Sequence, residues 1–248
     1  MIVTIVTAVK NGEATVLDTI NSVKQQTYKN IEHVVIDSIS TDNTLEIVKK
    51  NIKSFSKIIS EPDTGIYDGL NKGFKNSIGE IIGILNADDF YADSKAIEEV
   101  VKEFTKKDIN FLYADLEYVE RKNHKKIFRK WISGTFELNK LSFGWMPPHP
   151  TIFFKKSLVE DMGGFSLEYL ISSDYDFMLR YLLSPKMKVG YLPKTIIKMR
   201  NGGVSNKSIV NITKKSLEDY KIIKTHKIGG VVTLLLKNLR KVPQLYQK

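Results

Sequence analysis

Cysteine is absent from the 248-residue chain, which excludes a disulfide framework and any cysteine-ligated zinc site. The four histidines stand far apart, at positions 33, 124, 149 and 226, and give no metal-ligand spacing. No apolar run approaches the roughly 18 residues of a membrane span; the longest late one, VVTLLL from Val231, has six. The glycine loops that cradle phosphates are missing as well: there is no GxxxxGK[ST], and no GxGxxG follows the first strand-like segment. The opening MIVTIVTAVKNG lacks a basic leader and a cleavage signal, so it reads as a first strand rather than a signal peptide. Together with the lack of cysteine, this sets the expectation of a cytoplasmic protein.

What is present is an ordinary globular composition, 42% hydrophobic, long enough for one large α/β domain or a domain with an appendage. The net charge of +10 is unevenly placed. Residues 214–248 hold nine Lys or Arg and two acids, a net +7 that leaves +3 for everything before. A nucleic-acid binder spreads its charge over a working face; an excess confined to one end points to an attachment or docking surface.

Four segments rich in Val and Ile open the chain: IVTIVTA from Ile2, IEHVVID from Ile31, KIIS from Lys57 and EIIGIL from Glu80. Their near-continuous apolar character suits parallel strands covered on both faces, and their spacing is that of βα units. Between them, Val16, Ile20 and Val23 fall at helical spacing, TDNTLEIVKKNI offers Thr41 or Asp42 as a cap, and GIYDGLNKGFKNSI is a helix interrupted by Gly69 and Gly73. Those glycines suggest a close approach to something. The second half reads as two longer strands (INFLYADLEYV, KKIFRKW), a Pro-rich break at GWMPPHP, a strand entering a helix, a helix over SSDYDFMLRYLLS, and two short strands, KVGYLP and TIIKMR. After Asn206 the pattern is helical, broken at Gly229-Gly230.

Each early strand ends in polar residues: Thr7, Lys10 and Asn11; Asp37 and SISTDNT; Glu61 and Asp63; Asn86, Asp88 and Asp89. Ligands of open α/β sheets bind outside the carboxyl ends of the strands. One such acid is often a turn or helix cap, but four loops in succession are hard to explain that way. An acid-lined edge suits a phosphate only with a divalent cation between them, and Mg²⁺ or Mn²⁺ commonly bridges one or two carboxylates to substrate phosphates. A carboxylate-held metal carrying a nucleoside diphosphate is the economical reading.

On the ordered motifs TIVTAVKNG, QQTYKNIEHVVIDSISTDNT, SEPDTGIYDGLNKGF, GEIIGILNADDF, GGF and SSDYDFMLR, the chain resembles glycosyltransferase family 2 over roughly residues 1–205. These are the inverting, metal-dependent, nucleotide-sugar enzymes of the GT-A fold. The resemblance implies a Rossmann-like, mostly parallel sheet flanked by helices. It assigns residues 1–106 to nucleotide-sugar binding and 107–205 to the acceptor and catalysis, followed by a basic helical extension over 206–248. It implies that Thr7, Val9 and Asn11 line the base and ribose pocket and that Asp37 meets the uracil. Asp63, Asp68 and Asn71 would face the diphosphate and sugar. NADD takes the place of the family's DXD motif, with Asp88 and Asp89 as metal ligands for Mn²⁺ or Mg²⁺. Asn86 stands where a ribose-binding Asp is frequent. In MRNGGVSN, Arg200 would contact phosphate and the paired glycines would form a hinge.

SSDYDFMLR has a local reading too: Ser172 or Ser173 as helix cap, Asp174 complementing the helix dipole, and Asp176 paired with Arg180 at i,i+4. The resemblance makes Asp174 the catalytic base, with His149 on the acceptor side. Asp176 and Trp145 are further acceptor candidates, and Trp131 and Trp145 could stack on a sugar face, although core packing is the preferred reading of both tryptophans. The implied activity is hexosyl or N-acetylhexosaminyl transfer from a UDP-sugar to a glycan or lipid-linked acceptor in cell-envelope polysaccharide synthesis. The basic, partly apolar extension would lie on an anionic membrane surface or pack on the core. Two other readings are a non-catalytic nucleotide-sugar-binding module and a sugar nucleotidyltransferase, the latter disfavoured by the missing glycine- and lysine-rich loop after strand one.

Overall fold

The computed structural model of the chain describes residues 1–52, 56–121, 123–201 and 209–240. The first four strands are β1 (Val3–Val9), β2 (Ile31–Asp37), β3 (Ser56–Ser60) and β4 (Ile81–Ile84). They pair in parallel in the order β3-β2-β1-β4, as their unbroken apolar sequences require. Strand periodicity divides their side chains between two faces. Val6, Ala8, Val34 and Ile36 meet Leu70 and Phe74 of α3 (Ile66–Asn76). On the other face, Val9 and Val35 meet Val16 and Ile20 of α1 (Val16–Lys24) and Val48 of α2 (Thr44–Asn51). Val3 and Ile5 pack with Ile97 and Val100 of α4 (Ala96–Lys106). Each fully buried Val or Ile contributes about 1.5–3 kcal/mol, and β1 is buried along its whole length.

Beyond β4 the sheet becomes mixed. β8 (Phe153–Lys155) runs antiparallel to both β4 and β6 (Phe111–Val119), β7 (Ile127–Trp131) forms a hairpin with β6, and β9 (Val189–Arg200) lies parallel to β6. KVGYLP and TIIKMR therefore form one strand, not two. Its ladder slips where Ala114 pairs with Leu192 and Asp115 with Thr195, so Pro193 and Lys194 are carried past the partner strand as a bulge. β5 (Phe90–Tyr91), too short to show in the sequence pattern, closes the edge against β9. Helices α5 (Ser157–Met162), α6 (Ser173–Leu182), α7 (Ile209–Thr225) and α8 (Val231–Leu239) complete the element order.

The basic extension lies against the body. Ile222, Ile223 and Ile228 belong to the same apolar cluster as Phe154, Phe177 and Tyr181. Thr233 Oγ1 donates to the Ser142 carbonyl at 2.8 Å. Gly144, at φ +72°, lets α8 approach so closely that a Cβ there would sit 2.4 Å from the Lys237 nitrogen.

α3 is a full helix despite its glycines, and the close approach they allow is to β1. A Cβ at Gly73 would lie 2.1 Å from Val6 Cγ1, and one at Gly69 would lie 3.1 Å from Ala8 Cβ. Gly73→Ala is accordingly expected to lower stability by about 1–3 kcal/mol in urea unfolding, although alanine is the better helix former; a variant as stable as the parent would contradict this packing.

Candidate active site

The register of the parallel strands sets Val9 level with Asp37, and Asp37 level with Ser60, so the loops after β1, β2 and β3 leave from one edge. Their polar residues knit these loops together. Asn11, at φ +51°, accepts the Thr41 N–H at 2.8 Å and donates its own to Ser40 Oγ at 2.9 Å. Asp42, one of the two expected caps, accepts the Thr44 N–H at 3.0 Å as α2 begins. Ser60 Oγ donates to Asp37 Oδ2 at 2.6 Å, and Ser38 Oγ to Asp63 Oδ1 at 2.8 Å. Asp68 accepts the Thr64 N–H at 3.0 Å, with the Lys72 ammonium 3.7 Å away. Asn71 brackets Phe165, donating to its carbonyl at 2.9 Å and accepting its N–H at 2.8 Å.

Among the residues expected around a donor, Asn11, Asp63, Asp68, Asn71 and Asn86 thus keep some exposure, whereas the side chains of Thr7, Val9, Asp37 and Arg200 are enclosed. Thr7 Oγ1 lies 3.0 Å from Nε2 of His33, a buried imidazole whose burial pushes it down to about 4 and so keeps it neutral. Val9 belongs to the apolar cluster over α1 and α2. For these two, only the backbone is left to meet a ligand.

The Asp88–Asp89 pair is divided. Asp89 is fully buried: Oδ2 accepts from Asn86 Nδ2 at 2.8 Å, and Oδ1 from the Arg200 N–H at 3.2 Å. Burial first, then the charge of Asp88, push its carboxyl up to about 8, against the pull of Asn86 and Arg200. Arg200, 2% exposed, donates to the Asp88 carbonyl at 2.6 Å and to His124 Nε2 at 3.0 Å. It also pairs with Asp18 of α1 and stacks over Phe90 at 5.0 Å. The guanidinium expected to meet phosphate is therefore committed beneath the acid motif. Gly202 and Gly203, the expected hinge, lie outside the described residues.

The Asp88 carboxylate, by contrast, is half-buried at the strand edge and accepts no hydrogen bond from the described residues. Among the described residues no three His, Asp or Glu gather as a self-sufficient metal cage. A single open carboxylate fits a cation whose remaining ligands are phosphate oxygens and water. Asp89, with both oxygens engaged and no exposure, does not fit the second position expected of it.

α6 is enclosed on nearly every side, and of residues 172–182 only Asp174 and Arg180 are more than marginally exposed. Asp174, 23% exposed, accepts the Tyr175 N–H at 2.8 Å on Oδ1, while His149 Nδ1 lies 3.1 Å from Oδ2. The Tyr67 hydroxyl donates to the Ile171 carbonyl at 2.7 Å and sits 3.4 Å from Asp174 Oδ1. Burial pushes the Asp174 carboxyl up, but the hydrogen bond and charge of His149, with Lys215 and Lys237 farther off, together outweigh it. They hold the group well below the usual carboxylate range. Burial and the Asp174 charge raise the Tyr67 hydroxyl well above its ordinary value, which keeps it a donor. Tyr118 of β6 feels both acid clusters: burial raises it, Arg129 lowers it, and Asp89 and Asp174 each raise it further.

The local reading of SSDYDFMLR holds only in part. Asp176 does pair with Arg180, at 3.3 Å, and its other oxygen lies 2.9 Å from His226 Nε2. With both oxygens engaged and 7% exposure, Asp176 does not face an acceptor as expected. Neither serine caps the helix: Ser173 Oγ donates to the Ser166 carbonyl at 2.6 Å, and Ser172 Oγ makes no cap bond. Trp145 is core, its Nε1 donating to the Ser133 carbonyl at 2.9 Å and its ring edge-on to Tyr113, so its face is not free for a sugar. His149, expected on the acceptor side, keeps some exposure and has Asp174 as its partner. Sequence reasoning missed Tyr67, Asp18, His124 and His226. Tyr67 sits inside a recognised motif, whereas the others find their partners far along the chain, where no local spacing announces them.

Residues 4–162 match the family model described as glycosyl transferase family 2. A PGL/p-HBAD biosynthesis glycosyltransferase of Mycobacterium tuberculosis is 30% identical over 194 residues, covering 75% of this chain and 72% of that one. An uncharacterised glycosyltransferase of Rickettsia typhi is 29% identical over 234 residues, covering 90% and 70%. Among solved structures, Staphylococcus aureus TarS 1–349 in complex with UDP-GlcNAc superposes with a TM-score of 0.74 at 18% identity. The match covers 91% of this chain but only 65% of that one. A Pyrobaculum calidifontis mannosyltransferase in complex with GDP-Man and Mn²⁺ gives 0.67 at 16% identity, covering 98% and 72%. At these identities the structural likeness shows the GT-A fold alone.

Because its folded value is depressed, Asp174 contributes stability in full above the unfolded carboxylate value of about 4, and the contribution is lost as pH falls through the folded value. His149→Ala removes the main opposing influence on burial. The Asp174 carboxyl carbon, followed by NMR, is expected to titrate below the usual carboxylate range in the parent and to move up in the variant. An unchanged titration would contradict the pairing.

Proposed function

The chain belongs to glycosyltransferase family 2, and we propose that it is an inverting enzyme moving a hexosyl or N-acetylhexosaminyl group from a UDP-sugar to a hydroxyl of a glycan or lipid-linked acceptor. The observation that carries this reading is the pairing of one open carboxylate, Asp88, at the nucleotide edge with one partly exposed, ionised carboxylate, Asp174, on the acceptor half. The TarS neighbour with UDP-GlcNAc bound supports a uridine donor. The backbone around Thr7 and Val9, with Asn11 and Asn86, would receive the nucleoside, and the enclosed Asp37 would act through the loops it holds by way of Ser60. Asp63 and Asp68 would lie toward the diphosphate and sugar, and Asn71 would act through the Phe165 loop it holds.

The acceptor oxygen attacks the anomeric carbon from the face opposite the diphosphate. The C–O bond to UDP breaks, and the acceptor proton passes to Asp174. A carboxylate of low basicity serves here because the hydroxyl becomes strongly acidic as its oxygen bonds to carbon. Tyr67 and His149 hold the carboxylate in place without removing its charge. Arg200 would act indirectly, fixing the Asp88 backbone. A divalent ion such as Mn²⁺ or Mg²⁺ on Asp88, when bound, would neutralise charge on the departing diphosphate.

In a thermal-shift panel of nucleoside diphosphates and their sugars, UDP-sugars with Mn²⁺ are expected to stabilise the protein, and Asp88→Ala to abolish the metal-dependent part. Asp174→Asn should keep donor stabilisation while UDP release from UDP-GlcNAc falls about 10²–10⁴-fold. Stabilisation without turnover, unaffected by Asp174→Asn, would mark a binding module instead.

For the acceptor side we propose an anionic membrane surface as docking partner. No helix among the described residues is long and apolar enough to cross a membrane. α8 nevertheless exposes Val231, Val232, Leu235 and Leu239. α7 exposes Lys221 and Lys224, the turn between α7 and α8 exposes Lys227, and Arg240 is exposed at the end of α8. Apolar insertion beside cations is the chemistry of interfacial helices. The protein is expected to float with phosphatidylglycerol-containing vesicles and the double variant Leu235→Glu/Leu239→Glu to stay behind; equal recovery of the two would refute the surface.

A further inference from the structure

α7 reaches the first turn of α6, and both helices lie beyond residues 4–162, the segment that matches the family model. The chain entering α6 presents three successive N–H groups, at Leu170, Ile171 and Ser172. One carboxylate receives all three: Glu218 Oε1 accepts from Leu170 at 3.1 Å, and Oε2 from Ile171 and Ser172 at 2.9 Å each. Ser172 is the cap residue of α6 but makes no side-chain cap bond, so the anion that steadies the start of this helix comes from another helix. Ile171, in the middle of the grip, offers its carbonyl to Tyr67, whose hydroxyl stands beside Asp174 Oδ1.

The remainder of α7 and α8 grips the same turn from farther back. His226 lies 2.9 Å from Asp176. Asp219, 1% exposed, lies 2.7 Å from both Lys215 and Lys237, and the Lys237 ammonium sits 3.4 Å from the centre of the Tyr175 ring. Ile222 and Ile223 anchor α7 in the core. The residues on either side of Asp174 are thus held to elements that the sequence pattern assigns to an extension.

We propose that Glu218 is the positioning residue of the catalytic base: its carboxylate fixes residues 170–172 and thereby sets where Asp174 meets the acceptor hydroxyl. The inference rests on Asp174 being the base. Loss of the carboxylate leaves three N–H groups to find other partners, and the first turn of α6 shifts to satisfy them. A displacement of about 1 Å can lower turnover of the order of 10²-fold. Glu218 hydrogen-bonds residues 170–172, none of which is among those proposed to receive the donor.

The test uses the full chain with UDP-GlcNAc as donor and water as acceptor, following UDP release. Glu218→Ala is expected to lower kcat roughly 10–100-fold with donor KM within about twofold of the parent's, the scatter allowed to a site left intact. Glu218→Gln, which keeps an acceptor oxygen but sets an amide N–H₂ against the same donors, should recover part of the loss. Leu217→Ala, at an exposed neighbour, should behave as the parent. Glu218→Gln, more conservative, serves alone if the alanine variant does not fold. Parent-like kcat in a folded Glu218 variant, while Asp174→Asn is inactive, overturns the positioning role and leaves the base assignment standing. A fall in kcat matched by an equal loss of donor affinity overturns it as well. Parent-like turnover by Asp174→Asn overturns the base assignment itself.

Discussion

The burial of Arg200 is the constraint on which the acid motif at the end of β4 depends. A guanidinium at 2% exposure must find acceptors in every direction, because an unpaired charge in the interior is far more costly than a paired one. Arg200 finds them in the Asp88 carbonyl, Asp18 of α1 and His124, while its backbone N–H serves Asp89. These contacts tie the end of β9 to the loop after β4 and to the first helix. Asp89 lies inside this knot and is pushed toward its neutral form; Asp88, whose backbone is held and whose carboxylate is not, is left facing outward. The adjacent like charges are thus accommodated by giving them different surroundings rather than by burying a pair.

The same division runs through the other acids. Asp37, Asp63 and Asp68 each accept hydrogen bonds that shape their own loops, and Asp176 is neutralised from two sides by Arg180 and His226. Asp174 keeps about a quarter of its side chain open, and against the effect of burial His149, with Lys215 and Lys237, holds its carboxyl below the usual range. Catalysis by a carboxylate needs both properties, since an enclosed acid cannot reach a substrate and a neutral one cannot accept a proton. In the base proposed for transfer, Asp174, the first comes from its partial exposure on an otherwise enclosed helix and the second from His149.

The parallel half of the fold was legible in the sequence, because continuous Val- and Ile-rich runs at βα spacing leave few alternatives, and the polar ends of the first three runs do leave the sheet from one edge. Local pattern also predicted α3, its close approach and the Asp176–Arg180 pair. Less was legible of which acids would be open. Asp88 and Asp89 are identical in type and adjacent in sequence; they are separated only by Arg200, which arrives from the far end of the chain. Trp145 and Asp176 look as available as His149 until long-range packing encloses them. KVGYLP-TIIKMR reads as two strands because a bulge and a break carry the same proline signal. The basic segment reads as a tail because the partners of Glu218, His226 and Lys237 lie in other elements, and hydrophobic periodicity carries no information about which helix a surface carboxylate will cap.

The central claim is that Asp174 and the nucleotide edge lie on opposite faces of the reacting carbon, so that transfer inverts it. The most direct measurement is the anomeric configuration of the first sugar released from α-linked UDP-GlcNAc by water, read by proton NMR before mutarotation sets in. This account predicts the β-anomer as the initial product; release of the α-anomer would contradict it.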